Sequence, residues 1–136
     1  MNRETEAFLV RAKQAGYAEI PHSRSFADGR FLYTRSCFGT EQLAGQEVLR
    51  QDGNPVWAVN WLGRVLAGEF PEEFFTEAAR AGCVRFPYRG PERYEKGGLL
   101  YRCSVKGDAD WFYGYEEILR DGSPVWECAF HGGEVR

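Results

Sequence analysis

The 136-residue sequence holds only two histidines, and its four cysteines, Cys37, Cys83, Cys103 and Cys128, stand 46, 20 and 25 positions apart. Without a C-x-x-C pair or zinc-knuckle spacing, no metal site is expected, and reduced cysteines acting as small hydrophobes are the plain reading. Basic residues do not dominate: 17 stand against 20 acidic ones, a net charge of −3. The basic stripe that phosphate neutralisation requires is missing, so no direct nucleic-acid partner is expected. No apolar run approaches the roughly 20 residues that span a bilayer, and Met1 to Glu6 lacks an apolar signal core. A cytoplasmic location without membrane contact follows as the expectation. G-x-S-x-G, P-loop, G-x-G-x-x-G and H-E-x-x-H motifs are all missing, so the common nucleophile elbows, phosphate cradles, dinucleotide sites and zincin chemistry lack their signatures. No catalytic residue is assigned, no cofactor is expected, and the balance leans away from an enzyme.

What the sequence does contain is a repeat. Gly45-Gln46-Glu47, Asp52-Gly53-Asn54-Pro55-Val56-Trp57 and Gly63 recur as Gly114-Tyr115-Glu116, Asp121-Gly122-Ser123-Pro124-Val125-Trp126 and Gly132, at a constant offset of 69 (114 − 45 and 132 − 63). Eight of the nineteen aligned positions are identical, where chance pairing gives roughly one. Upstream, Leu32-Tyr33 matches Leu100-Tyr101, and Ala15-Gly16 matches Ala81-Gly82. One domain over 1–136 is therefore expected, with internal repeats of about 1–66 and 67–136.

Each repeat opens with a helix. Over Glu4 to Ala15 the residues Phe8, Ala12 and Ala15 share a face, and Gly16 suits the left-handed C′ position; Pro71 to Ala81 has Phe75, Ala78 and Ala79 as its stripe, behind an acidic first turn. Three strands follow in each half: about Arg30 to Phe38, Leu43 to Gln51 and Pro55 to Leu62, then Gly98 to Val105, Trp111 to Arg120 and Pro124 to His131. Asp52-Gly53 and Asp121-Gly122 supply the positive φ of tight hairpin turns. The segments His22 to Gly29 and Phe86 to Glu92 read as loops. The expected fold is α+β: a tandem αβββ duplication forming a mostly antiparallel sheet, with two helices on one face and a pseudo-two-fold relation.

Strict alternation sorts the hairpin residues into two sets. One is aromatic, with Trp57, Trp61, Tyr113, Tyr115, Trp126 and Phe130; the other holds Glu47, Asn60, Glu116, Glu127 and His131 among apolar residues. A glutamate on an apolar face must be hydrogen-bonded, paired or protonated, which makes Glu47 and Glu116 candidates for a site. The plainer alternative is that each accepts hydrogen bonds from a tyrosine, arginine or backbone group of its own repeat. In a two-residue turn register Glu116 would face Glu127, a like-charge pair. The glycine two residues before each glutamate leaves room for a ligand or a neighbouring backbone. Asn60 and His131 are polar where the other half is not, and Tyr88-Arg89-Gly90-Pro91 joins an amphipathic ring to a bidentate donor suited to anions. The candidate ligand-binding residues are Glu47, Asn60, Tyr88, Arg89, Glu116, Glu127 and His131.

The motifs Gly63-Arg64-Val65-Leu66, Pro87-Tyr88-Arg89-Gly90-Pro91, Cys103-Ser104-Val105, Gly114-Tyr115-Glu116-Glu117-Ile118 and Phe130-His131-Gly132-Gly133 resemble an uncharacterised bacterial and archaeal domain family. Its members are found alone or C-terminal to Xre-type helix-turn-helix regulators. The resemblance implies a sensor or effector-binding role and brings no catalytic residues with it. This chain starts almost directly at its first helix, which leads to the expectation of a domain without its own DNA-binding module.

The leading expectation is a non-enzymatic small-molecule or effector-binding domain, its aromatic and glutamate-lined cleft on the sheet face free of helices. A homodimer or other interaction module using that face is the alternative, and a small carboxylate-dependent enzyme using Glu116, Glu127 or His131 the third reading.

Overall fold

The computed structural model describes residues 1–16, 24–82 and 86–136. His22 and Cys83 lie outside the described residues. The chain runs α1 (Arg3–Gly16), β1 (Arg24–Asp28), β2 (Phe31–Phe38), β3 (Gln42–Gln51), β4 (Asn54–Val65), α2 (Glu72–Arg80), β5 (Arg93–Lys96), β6 (Leu99–Asp108), β7 (Trp111–Arg120) and β8 (Ser123–Glu134). All strands join one sheet in the order β1-β2-β3-β4-β8-β7-β6-β5, and every neighbouring pair is antiparallel. The architecture is α+β.

Each half has one strand more than the sequence pattern suggested. β1 falls inside the stretch read as a loop from His22 to Gly29, and β5 follows Glu92. Both are short, with the polar sequences RSFAD and RYEK. They form the two edges and pair on one side only, so they lack the apolar alternation that marks an inner strand.

The Asp-Gly turns take the expected form. Asp52 and Gly53 have φ of 52° and 83°, Asp121 and Gly122 of 49° and 83°, so both central residues are left-handed, as a type I′ turn demands. Gln51 pairs with Asn54 and Arg120 with Ser123. One step further in, each hairpin slips. Arg50 pairs with Pro55 but Leu49 with Trp57; Leu119 pairs with Pro124 but Ile118 with Trp126. Val56 and Val125 are the extra residues of two β-bulges, which place proline next to the turn and hand the following residues to the other face.

That slip overturns the face assignment expected from strict alternation. Beyond the bulge Glu47 lies opposite Val59 and Gly45 opposite Trp61; Glu116 lies opposite Cys128 and Gly114 opposite Phe130. The glutamates therefore share a face with the tryptophans. Glu116 does not face Glu127, which instead sits across from Glu117 on the other side of the sheet.

Both helices cover the glutamate face. Phe8 of α1 lies against Phe26 and Phe31, with ring centroids 5.6 and 5.0 Å away, while on α2 Phe74 meets Tyr94 at 5.6 Å and Phe75 meets Tyr101 at 6.3 Å. On α1 the buried stripe is Phe8, Leu9 and Ala12, with Ala15 exposed; on α2 Phe74 is buried beside Ala78 and Ala79, and Phe75 is only half-buried. Trp57 and Trp126, from the two central strands, are the largest fully buried side chains, and rings of this size dominate the area removed from water.

Candidate functional site

The core holds charge. Glu47 and Glu116 are both 0% exposed, and Lys13, Arg35 and Arg89 are buried with them. Glu47 receives the Tyr33 hydroxyl from β2 and lies 3.4 Å from the Lys13 ammonium on α1. Glu116 has the same plan with other parts: the Tyr101 hydroxyl of β6 donates to it at 2.5 Å, and the Arg89 guanidinium, from the segment before β5, donates at 2.9 Å. Lys13 also donates to the Tyr88 carbonyl, tying α1 to that segment. A buried carboxylate without such partners would be costly.

Burial works against the charged form of Glu47, but Lys13, Arg89, Tyr33 and Arg35 together outweigh it and hold the carboxyl below its ordinary range. Burial lowers the Lys13 pKa, with Glu47 opposing the shift. Tyr101 is pushed well up by burial and by Glu116, Cys103 up to about 12 by the same two causes, and Cys128 is raised as well. These thiols are protonated at neutral pH and are poor nucleophiles.

The glycines beside the glutamates make room for rings. A Cβ at Gly45 would lie 2.1 Å from the Trp61 indole, and one at Gly114 2.4 Å from the Phe130 ring. Trp61 can thus lie flat on β3, and the Arg89 guanidinium stacks over it with 4.5 Å to the ring centroid.

Between α2 and the sheet a cleft remains, with about 530 Å³ of unfilled space once the open solvent at its mouth is counted and an inner cavity of about 70 Å³. Arg35 and Cys37 of β2, Leu43 of β3, Trp61 of β4, Trp126 of β8 and Arg89 line its sheet side; Phe70, Phe75 and Thr76 close the helix side, and Glu72 stands at the rim. Trp61 is 9% and Trp126 2% exposed. Neither indole Nε1 has a hydrogen-bond acceptor among the described residues, whereas the Trp57 indole donates to the Ala109 carbonyl at 2.8 Å. Buried donors of this kind are rare in folded proteins.

The sequence candidates divide into two groups. Glu47, Glu116, Tyr88 and Arg89 lie on the helix-covered face, with the Tyr88 ring packed edge-on against Phe112 at 4.7 Å. Asn60, Glu127 and His131 lie on the opposite face. There Asn60 accepts from Gln46 at 2.8 Å, and Glu127 accepts from Arg64 at 2.6 Å and from the Tyr115 hydroxyl at 3.0 Å. Glu116, Glu127 and His131, grouped in the enzyme reading, do not converge. Lys13, Tyr33, Tyr101, Arg35 and the two cleft tryptophans were missed as site residues. Tyr33 and Tyr101 carried a signal, since they align in the repeat; Lys13 looked like an ordinary cation in the last turn of a helix.

Among the described residues no group of three or more His, Cys, Asp or Glu could hold a metal ion, and no helix is long and apolar enough to cross a membrane. No curated protein and no solved structure matches the chain. A family described as a domain of unknown function, DUF5680, matches residues 35–135. The matched span takes in every residue lining the cleft, from Arg35 to Trp126, but omits α1 and with it Lys13. The chain belongs to the DUF5680 family.

Proposed function

We propose that this chain is a small-molecule or effector-binding domain whose ligand occupies the cleft between α2 and the sheet. The observation that carries the reading is that Trp61 and Trp126 line the cleft and that their buried indole N–H groups have no acceptor among the described residues. A folded core leaves such donors unpaired only at a cost of about 1–3 kcal/mol each, which a ligand with acceptor atoms removes. The cleft's walls join aromatic rings to arginines, the mix of apolar surface and a few polar groups that small-molecule sites share.

The resemblance to domains found C-terminal to Xre-type regulators supports the same reading, with the ligand as the signal. The repeated Glu-Tyr pairs, Glu47 with Tyr33 and Glu116 with Tyr101, support an origin by tandem duplication with a pseudo-two-fold relation between the halves. The cations differ between the halves, Lys13 at Glu47 and Arg89 at Glu116, so the two uses of the plan have diverged.

Thermal unfolding against a metabolite library tests the proposal, since a ligand at 100 times its Kd adds about 2.7 kcal/mol to the native state. A shift that Trp61→Phe reduces supports it; a library without any hit, for a protein that is folded and monomeric, overturns it. A second reading is favoured by the helix-free face, where Leu62, Tyr113 and Tyr115 are exposed: an interaction module that pairs through this face. Light scattering that gives twice the 15.5 kDa chain mass, reduced to one chain by Leu62→Lys, would favour that reading.

A further inference from the structure

The chemistry lining the cleft selects among ligands, and this step rests on the binding role proposed above. On the cleft's sheet side the Trp61 and Trp126 indoles, whose N–H groups lack an acceptor among the described residues, stand with Arg35 and Arg89. An indole N–H cannot accept a hydrogen bond and an arginine cannot lose its proton, so the complementary group is an acceptor, and an anionic one. The rest of the wall is mainly apolar, with Leu43, Phe70 and Phe75 beside Cys37 and Thr76, and a phosphate ion cannot use the apolar part. At the rim stands the Glu72 carboxylate, which repels a second negative charge placed near the mouth.

We infer that the ligand is a small amphipathic monocarboxylate, its carboxylate held by the two indole N–H groups and the arginines and its apolar body lying between the sheet and α2. Trp61 and Trp126 come from β4 and β8, the central strands where the two halves of the sheet meet. Arg89 both stacks on Trp61 and holds Glu116, so an anion in the cleft touches the buried ionic network directly.

The test uses matched pairs that differ in charge but hardly in shape: benzoate with benzyl alcohol, hexanoate with hexanol, and indole-3-acetate with tryptophol, with inorganic phosphate as a further arm. Calorimetry on the wild-type chain should show at least one acid binding saturably and about tenfold or more tighter than its alcohol, because charge-assisted hydrogen bonds are roughly twice as strong as neutral ones and the carboxylate makes more than one of them. Trp61→Phe and Trp126→Phe should each weaken the acid about tenfold and the alcohol clearly less, because an alcohol oxygen accepts only a neutral hydrogen bond. Alcohols that bind as well as their acids, or phosphate that binds better than any acid, overturn the monocarboxylate while leaving the cleft as a site. Failure of every pair and of the metabolite library removes the binding role itself. Should a tryptophan variant not fold, the acid-to-alcohol ratio on wild type still decides.

Discussion

Replacing Glu47 by glutamine keeps the shape and the acceptor for Tyr33 but leaves the Lys13 ammonium, 3.4 Å away and buried with it, without its carboxylate. Breaking a buried pair on one side costs about 3–5 kcal/mol, a large part of the roughly 5–15 kcal/mol that holds a domain together. The fold has one escape, which is to bury Lys13 neutral. From an ordinary value of 10.5, that costs about 1.36 kcal/mol per pH unit, hence about 5 kcal/mol at pH 7 and about 1.4 kcal/mol at pH 9.5. In the variant the folded lysine titrates below the unfolded one, so the unfolded state binds more protons in that window and stability rises with pH. The penalty of Glu47→Gln should therefore be about 3 kcal/mol or more at pH 7 and shrink to between 1 and 2 kcal/mol at pH 9.5. Adding Lys13→Met should recover most of it at both. Urea unfolding followed by circular dichroism at the two pH values measures all three proteins. A penalty below about 1 kcal/mol at pH 7, or one that is equal at pH 7 and 9.5, would refute the reasoning.

Wild-type stability should fall in acid as the pH drops below the ordinary Glu47 value of 4.5, because a carboxyl held low contributes fully above its unfolded pKa and loses that contribution on passing through the folded one; Glu47→Gln should flatten this limb of the pH profile. Gly45→Ala forces a Cβ to within 2.1 Å of the Trp61 indole and should cost about 1–3 kcal/mol as overpacking, with a shift in tryptophan emission, whereas Asp52→Gly, at a φ of 52°, should leave thermal stability within about 1 kcal/mol. Cys103 and Cys128, buried and with raised pKa values, should resist a disulfide reagent at pH 8 until urea exposes them, and rapid labelling of both in the native protein would contradict their placement.

How much was legible in the sequence depended on whether the signal was local. The helices, the six inner strands and the Asp-Gly turns follow from periodicity and from turn chemistry that a short window contains. The edge strands β1 and β5 escaped because five and four residues paired on one side need no apolar alternation. The larger failure came from two inserted residues. Val56 and Val125 look like ordinary strand positions, yet as bulges they move everything beyond them to the other face. A one-residue slip therefore carried Trp57, Trp61, Trp126 and Phe130 to the side of the glutamates and separated Asn60, Glu127 and His131 from Glu47 and Glu116. Lys13 and Arg89 pair with those glutamates across 34 and 27 positions (47 − 13 and 116 − 89), contacts that no local window contains. The aligned Tyr33 and Tyr101 were the one clue in the sequence to the carboxylates' partners.

The cleft itself is best tested through the four indole N–H resonances of the chain. Trp57 donates to Ala109 and Trp111 is 80% exposed, so neither should respond to a ligand under α2. In a nitrogen-15 titration with the tightest-binding acid of the matched pairs, the Trp61 and Trp126 indole signals should move together and downfield as their N–H groups gain an acceptor, with Trp57 and Trp111 fixed. Movement confined to Trp111, or none at saturation, would contradict a carboxylate held by the two buried indoles.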